Sequence, residues 1–141
     1  MKANELMIGD WVMTPNGIAR VIMIGEHSPC YTNKTGEGEV AIFPRDLQPI
    51  PLTPEIAEKI GFSYGYTASE EGCDCLYEKG WCYSDENGEV KVTFPHGTDG
   101  GEIYVNDYSF RTLRLIFPDK IYLHELQHAL KLGGIEKKIT L

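Results

Sequence analysis

Five short β-type runs fall within the first fifty residues, and that crowding constrains the fold more than any other feature of the chain. Trp11-Val12-Met13 follows Gly9-Asp10, and Thr14-Pro15-Asn16-Gly17 is a turn whose Asn-Gly pair tolerates positive φ. Ile18 to Ile24 is rich in β-branched residues and stops at Gly25. Tyr31-Thr32-Asn33 is a third run, followed by a polar loop from Lys34 to Gly38. Glu39 to Phe43 alternates about Val40 and Ile42, and Pro44-Arg45-Asp46-Leu47 makes one tight turn before Gln48-Pro49-Ile50. Short strands leave unpaired edges that a protein must cover or close. The pattern therefore predicts a small closed barrel over residues 1–52.

The rest of the chain changes period. Thr53 is placed to cap a helix, Pro54 suits its first position, Glu55 complements the dipole and Gly61 stops it. Residues 53–61 are thus expected to be a connecting helix. Residues 63–80 are rich in Gly, Ser and acids and carry no clear period. Beyond them, Trp81 to Ser84 and Val90 to Phe94 flank Asp85-Glu86-Asn87-Gly88, a hairpin signature. Glu102 to Val105 and Arg111 to Phe117 are two more strands. Asp119 is expected to cap a final helix that runs to Leu132 and ends at Gly133-Gly134. The fold class is α+β: a barrel over 1–52, the helix, and a small α+β domain over 62–141.

Bulk properties narrow the function. Apolar residues make up 42% of the 141, enough for a core. No apolar run approaches the ~20 residues that span a bilayer, and the first residues lack the apolar core of a signal peptide. The expectation is a cytoplasmic protein with no membrane partner. Cys30, Cys73, Cys75 and Cys82 are then free thiols. The net charge is −8, and residues 61–110 hold ten acids against Lys79 and Lys91. Nucleic-acid affinity rests on neutralising phosphates with Lys and Arg, so that partner class is disfavoured.

His124-Glu125-Leu126-Gln127-His128 matches the zincin pattern, in which two histidines one turn apart share a metal and the Glu is general base. In that alternative reading His124 and His128 are the ligands, Glu125 the catalytic group and zinc the cofactor. Helical geometry counts against it. Tyr122, Leu123, Leu126, Ala129 and Leu130 form an apolar stripe at ~100° per residue, which leaves His124 and His128 facing water beside Lys131. No His follows His128, so a third ligand has to come from His27, His96 or the acids. Cys73-x-Cys75 with Cys82 has too short a first gap for a typical zinc site. Glu70, Glu71, Asp74, Glu78, Asp85, Glu86 and Glu89 lack the spacing of a calcium loop and read as a solvated face. Tyr64, Tyr66, Tyr77, Trp81 and Tyr83, set among these acids, suit a protein-contact surface, and most of them suit a core equally well.

Ile8-Gly9-Asp10-Trp11-Val12, a Gly turn and then Asp46-Leu47-Gln48-Pro49-Ile50, in that order, resemble small SH3-like barrels. Joined to Leu52-Thr53-Pro54-Glu55-Ile56…Gly61-Phe62 and to His124 through Leu130, they are similar to uncharacterised proteins encoded by phages and mobile elements of Bacteroides-type bacteria. That resemblance covers both ends of the chain and implies an SH3-like lobe and a short α+β lobe, with no activity attached. The weight falls on a non-enzymatic, protein-binding interaction module with no catalytic, cofactor or metal residues. The alternatives are a minimal zinc-dependent hydrolase and nucleic-acid binding through the barrel.

Overall fold

The computed structural model describes residues 1–25, 30–33, 38–70, 78–109 and 111–141, without the side chains of Cys30 and Tyr31. The chain divides into two compact units, Met1–Pro51 with Tyr122–His124, and Leu52–Ile121 with Glu125–Leu141. Among the described residues, ten strands in two antiparallel sheets and two α-helices make the class α+β. No helix among the described residues is long and apolar enough to cross a membrane.

The first unit holds β1 (Trp11–Thr14), β2 (Gly17–Met23), β3 (Cys30–Asn33), β4 (Glu39–Ile42) and β5 (Gln48–Pro49), ordered β4-β3-β2-β1-β5. Gly9 enters β1 at φ 99, and the Asp10 carboxylate accepts the Met7 N–H at 2.8 Å, which closes the turn. The Thr14 hydroxyl accepts the Asn16 N–H and donates to the Gly17 carbonyl, so Thr14 rather than Pro15 organises the first hairpin. Period-two alternation then sorts side chains. Val12 and Ala19 pair across β1 and β2 and are buried, while their neighbours Met13 and Ile18 pair on the opposite face and are exposed. Val12 and Val21 form the core with Leu6 and Leu47, flanked by Met1, Ile24 and Ile42. This sheet is open, contrary to the closed barrel expected: among the described residues no ladder joins β4 to β5. β5 is two residues long and contains Pro49, which has no N–H to extend a ladder.

The second unit holds α1 (Pro54–Lys59), β6 (Ser63–Gly65), β7 (Gly80–Asp85), β8 (Gly88–Thr93), β9 (Gly101–Asn106) and β10 (Thr112–Phe117), with the sheet in the order β10-β9-β8-β7-β6. Thr53 caps α1 by accepting the Ile56 N–H, and Gly61 at φ 98 ends it, as expected. The β7–β8 hairpin turns at Glu86-Asn87, where Asp85 Oδ1 accepts the N–H of Asn87 at 2.7 Å and of Gly88 at 3.2 Å. β6 was hidden in the unreadable stretch after Phe62. Val90, Val92, Ile103 and Val105 are fully buried on one face of this sheet.

Helix α2 covers Leu123–Leu132, not the expected span from Asp119. The reason is backbone competition. Tyr122 bridges Pro51, Ile121 O accepts the Leu52 N–H, and the Leu123 N–H donates to Ile50 O. A segment held in extended pairing cannot also form the first helical turn. Leu126, Ala129 and Leu130 are buried, and the helix ends at Gly134 with φ 72. Gly133 has a separate role, since a Cβ there would collide with Val105 Cγ1. The tail beyond it forms no strand, but Ile135 and Ile139 are buried.

Candidate functional site

The zincin-like pattern lies on α2 with a geometry only partly as expected. His128 and Glu125 are half-buried. His124 is not on a wet face: it is 8% exposed, and its ring stacks on Tyr122 with centroids 6.0 Å apart and planes at 23°. Because the helix starts at Leu123, His124 occupies the first turn, where the incoming extended chain lays Tyr122 against it. Among the described residues, no three His, Cys, Asp or Glu side chains converge as a metal-ligand group. His96 is exposed in a turn closed by paired backbone hydrogen bonds with Asp99. His27, Cys73, Cys75, Glu71, Asp74, Tyr77 and the Lys34–Glu37 stretch lie outside the described residues.

Cys82 is held as a thiol. Burial pushes its pKa up to about 11; nearby Lys91 works against this, Glu70 and Glu89 with it. Its Sγ lies 3.5 Å from Gly65 O and 3.6 Å from Gly80 O. A thiol so far above neutrality is a poor nucleophile.

The most concentrated polar chemistry was not foreseen. Glu70, Glu89 and Lys91, read above within a solvated acidic face, are buried on the side of the second sheet opposite Val90 and Val92. Lys91 Nζ donates to Glu70 Oε1 at 2.6 Å and to Glu78 O at 3.2 Å. Glu70 Oε2 accepts the Thr67 N–H at 3.1 Å, while the Glu70 N–H donates to Thr67 O, closing a tight local turn. Glu89 accepts from the Ser69 hydroxyl, from the Ser69 N–H at 3.3 Å and from Asn106 Nδ2 at 3.5 Å. Burial raises the pKa of Glu70, but hydrogen bonds from Lys91 and Thr67 outweigh it, and the net shift is downward. One signal for this was present in the sequence: Thr67-x-x-Glu70 is the reciprocal capping spacing.

Beside this clamp lies a recess of about 410 Å³ lined by Ser69, Glu70, Lys91, Glu102, Tyr104 and Arg114. Lys91, Tyr104 and Arg114 are register neighbours across β8, β9 and β10. The recess neutralises its own charges: Lys91 pairs with Glu70, and Arg114 pairs with Glu102 at 2.8 Å. No histidine lines it among the described residues, and its Ser69 hydroxyl donates to Glu89. The arrangement fixes a turn onto a sheet.

Apolar exposure is concentrated elsewhere. Of eleven large hydrophobic side chains exposed among the described residues, seven lie in the first unit: Met7, Ile8, Met13, Ile18, Met23, Val40 and Phe43. Ile8 is 60% exposed and Met23 56%, and Arg45 stacks on the Phe43 ring at 4.8 Å. Comparison of the chain with protein-family models, curated proteins and solved structures gives no match.

Proposed function

We propose that the protein is a non-enzymatic interaction module whose first unit binds a protein partner through its exposed apolar side chains. One observation carries this reading: Met13 and Ile18, paired across β1 and β2, turn away from the small core and into solvent, and Ile8 and Met23 are still more exposed. Leaving apolar side chains in water is unfavourable by ~25 cal/mol per Å². Clusters of them on a monomer mark binding sites, and methionine adapts to irregular partner surfaces.

The unit itself is best assigned as an SH3-like sheet. Supporting this are β1 between β2 and β5, a meander onward to β4, and a single 3-10 turn at Pro44–Asp46 before the last strand. Such lobes serve as docking modules, which fits an adaptor in a phage or mobile element.

The test places a photo-crosslinking residue at Ile18 of the full chain in its host cell and repeats it in a Met13→Ser, Met23→Ser background. The expected result is a discrete crosslinked protein that disappears in the double variant. A product unchanged by those substitutions, or no product at all, would remove this reading.

A further inference from the structure

We infer that β10 is a self-association edge, pairing antiparallel with β10 of a second copy of this chain. Exposed strand edges template pairing with other chains, and proteins blunt them by shortness, proline, charge or bulges. Three of the four edges here are blunted. β5 has two residues and carries Pro49. β6 has three and ends in Gly65. β4 has four and begins with the exposed Glu39. β10 has six, Thr112-Leu113-Arg114-Leu115-Ile116-Phe117, with no proline, no glycine and an unbroken register to β9, and its one charged side chain, Arg114, is paired with Glu102 of the same sheet.

The free backbone groups can be identified. Asp107 N–H donates to Arg111 O, so that pair is a hydrogen-bonded one in the same register as the β9–β10 ladder. Hydrogen-bonded and non-bonded pairs alternate along antiparallel strands. Leu113, Leu115 and Phe117 therefore bond inward to β9. Thr112, Arg114 and Ile116 direct their N–H and C=O groups outward, past the sheet edge.

The side chains select a partner and a register. A two-fold antiparallel pair that keeps the polar and apolar faces aligned must join outward residues to outward residues. Pairing Arg114 with Arg114 of the second copy sets like charges opposite each other. Shifting by one pair places Arg114 opposite Ile116 in both directions. Four backbone hydrogen bonds then form between those residues, and the Arg114 stem covers Ile116, whose side chain is 68% exposed in the single chain. On the other face Leu115 meets Leu115 across the axis and Leu113 meets Phe117. A self-complementary surface of this kind is what a two-fold dimer requires. The result is one ten-stranded sheet made from two five-stranded ones. The inference is independent of the docking face on the first unit.

Sedimentation velocity on the full chain across a concentration series, paired with amide hydrogen exchange, tests it. The expected result is a monomer–dimer equilibrium in which the Arg114 and Ile116 amides gain protection as concentration rises, while Leu113 and Leu115 are protected throughout. Ile116→Lys, at an exposed position, sets Lys opposite Arg114 and should weaken dimerisation roughly tenfold. A monomer up to millimolar concentration overturns the inference. So does a dimer whose new protection lies outside β10, or one indifferent to Ile116→Lys. Should that variant fail to fold, the exchange pattern of the unaltered chain decides alone.

Discussion

The first sheet and the second each have five antiparallel strands, but they treat side chains in opposite ways. The first buries a small apolar cluster centred on Val12 and Val21 and leaves Ile8, Met13, Ile18 and Met23 exposed. The second encloses Val90, Val92, Ile103 and Val105 on one face and then buries Glu70, Glu89 and Lys91 on the other. Apolar groups outside are unfavourable in water, and charges inside are unfavourable away from it. A chain keeps the first where a partner covers them, and the second where a local structure must be fixed in one geometry. Under the proposed function the first unit is the contact surface, while the second carries a buried polar brace.

That contrast can be broken most sharply at Lys91. Lys91→Ala leaves Glu70 buried without its counter-ion and should cost about 3–5 kcal/mol of stability in denaturant unfolding. Lys91→Met with Glu70→Leu should recover most of the loss, because an apolar pair of similar volume needs no compensation. The pH dependence has a definite sign. Glu70 has its pKa lowered in the folded chain, so its contribution is complete above the ordinary value of 4.5 and disappears as pH falls through the lower folded value. Urea midpoints measured from neutrality into acid should fall for the native chain, and less steeply for the double variant.

A smaller effect is expected at Gly133, where the helix end meets Val105 without room for a methyl group. Gly133→Ala should cost about 1–3 kcal/mol by thermal unfolding, as overpacking does. Tyr108 has φ 60, within the β9–β10 connection. Tyr108→Gly relieves a left-handed strain and should stabilise by ~1 kcal/mol, since non-glycine residues pay that much for the conformation. Smallest of all, Met13→Ser with Ile18→Ser should change stability by no more than ~0.5 kcal/mol, as exposed substitutions do. A large loss there would mean that these side chains support the fold, and the contrast between the sheets would fail.

The strands of both sheets, β6 apart, were legible because their apolar residues alternate and their turns carry Gly, Pro and Asn. Asn16-Gly17 and Asn87-Gly88 marked their hairpins, and Thr53 and Gly61 bounded α1. What sequence patterning missed has physical causes. The start of α2 was displaced because Ile121 to Leu123 pair with distant backbone, a contact no local propensity reports. Glu89 and Lys91 alternate with Val90 and Val92, so their face was assigned to water; the turn that covers it comes from some twenty residues upstream. His124 was misplaced because the apolar stripe is narrower than the buried arc of the helix. The zincin-like spacing was legible as a pattern, but spacing alone does not supply a third ligand.

The clamp of Ser69 and Glu70 on Glu89 and Lys91 also orders events in time. It joins residues 20 and 21 positions apart, and both receptors lie on β8, so it closes only after the β7–β8 hairpin has presented them. Its interactions are therefore expected to form after the early folding nucleus. Removing them should leave the refolding rate nearly unchanged and accelerate unfolding instead. The buried charges then govern how long the second sheet lasts once formed, while the local Asp85–Gly88 turn governs how fast it forms.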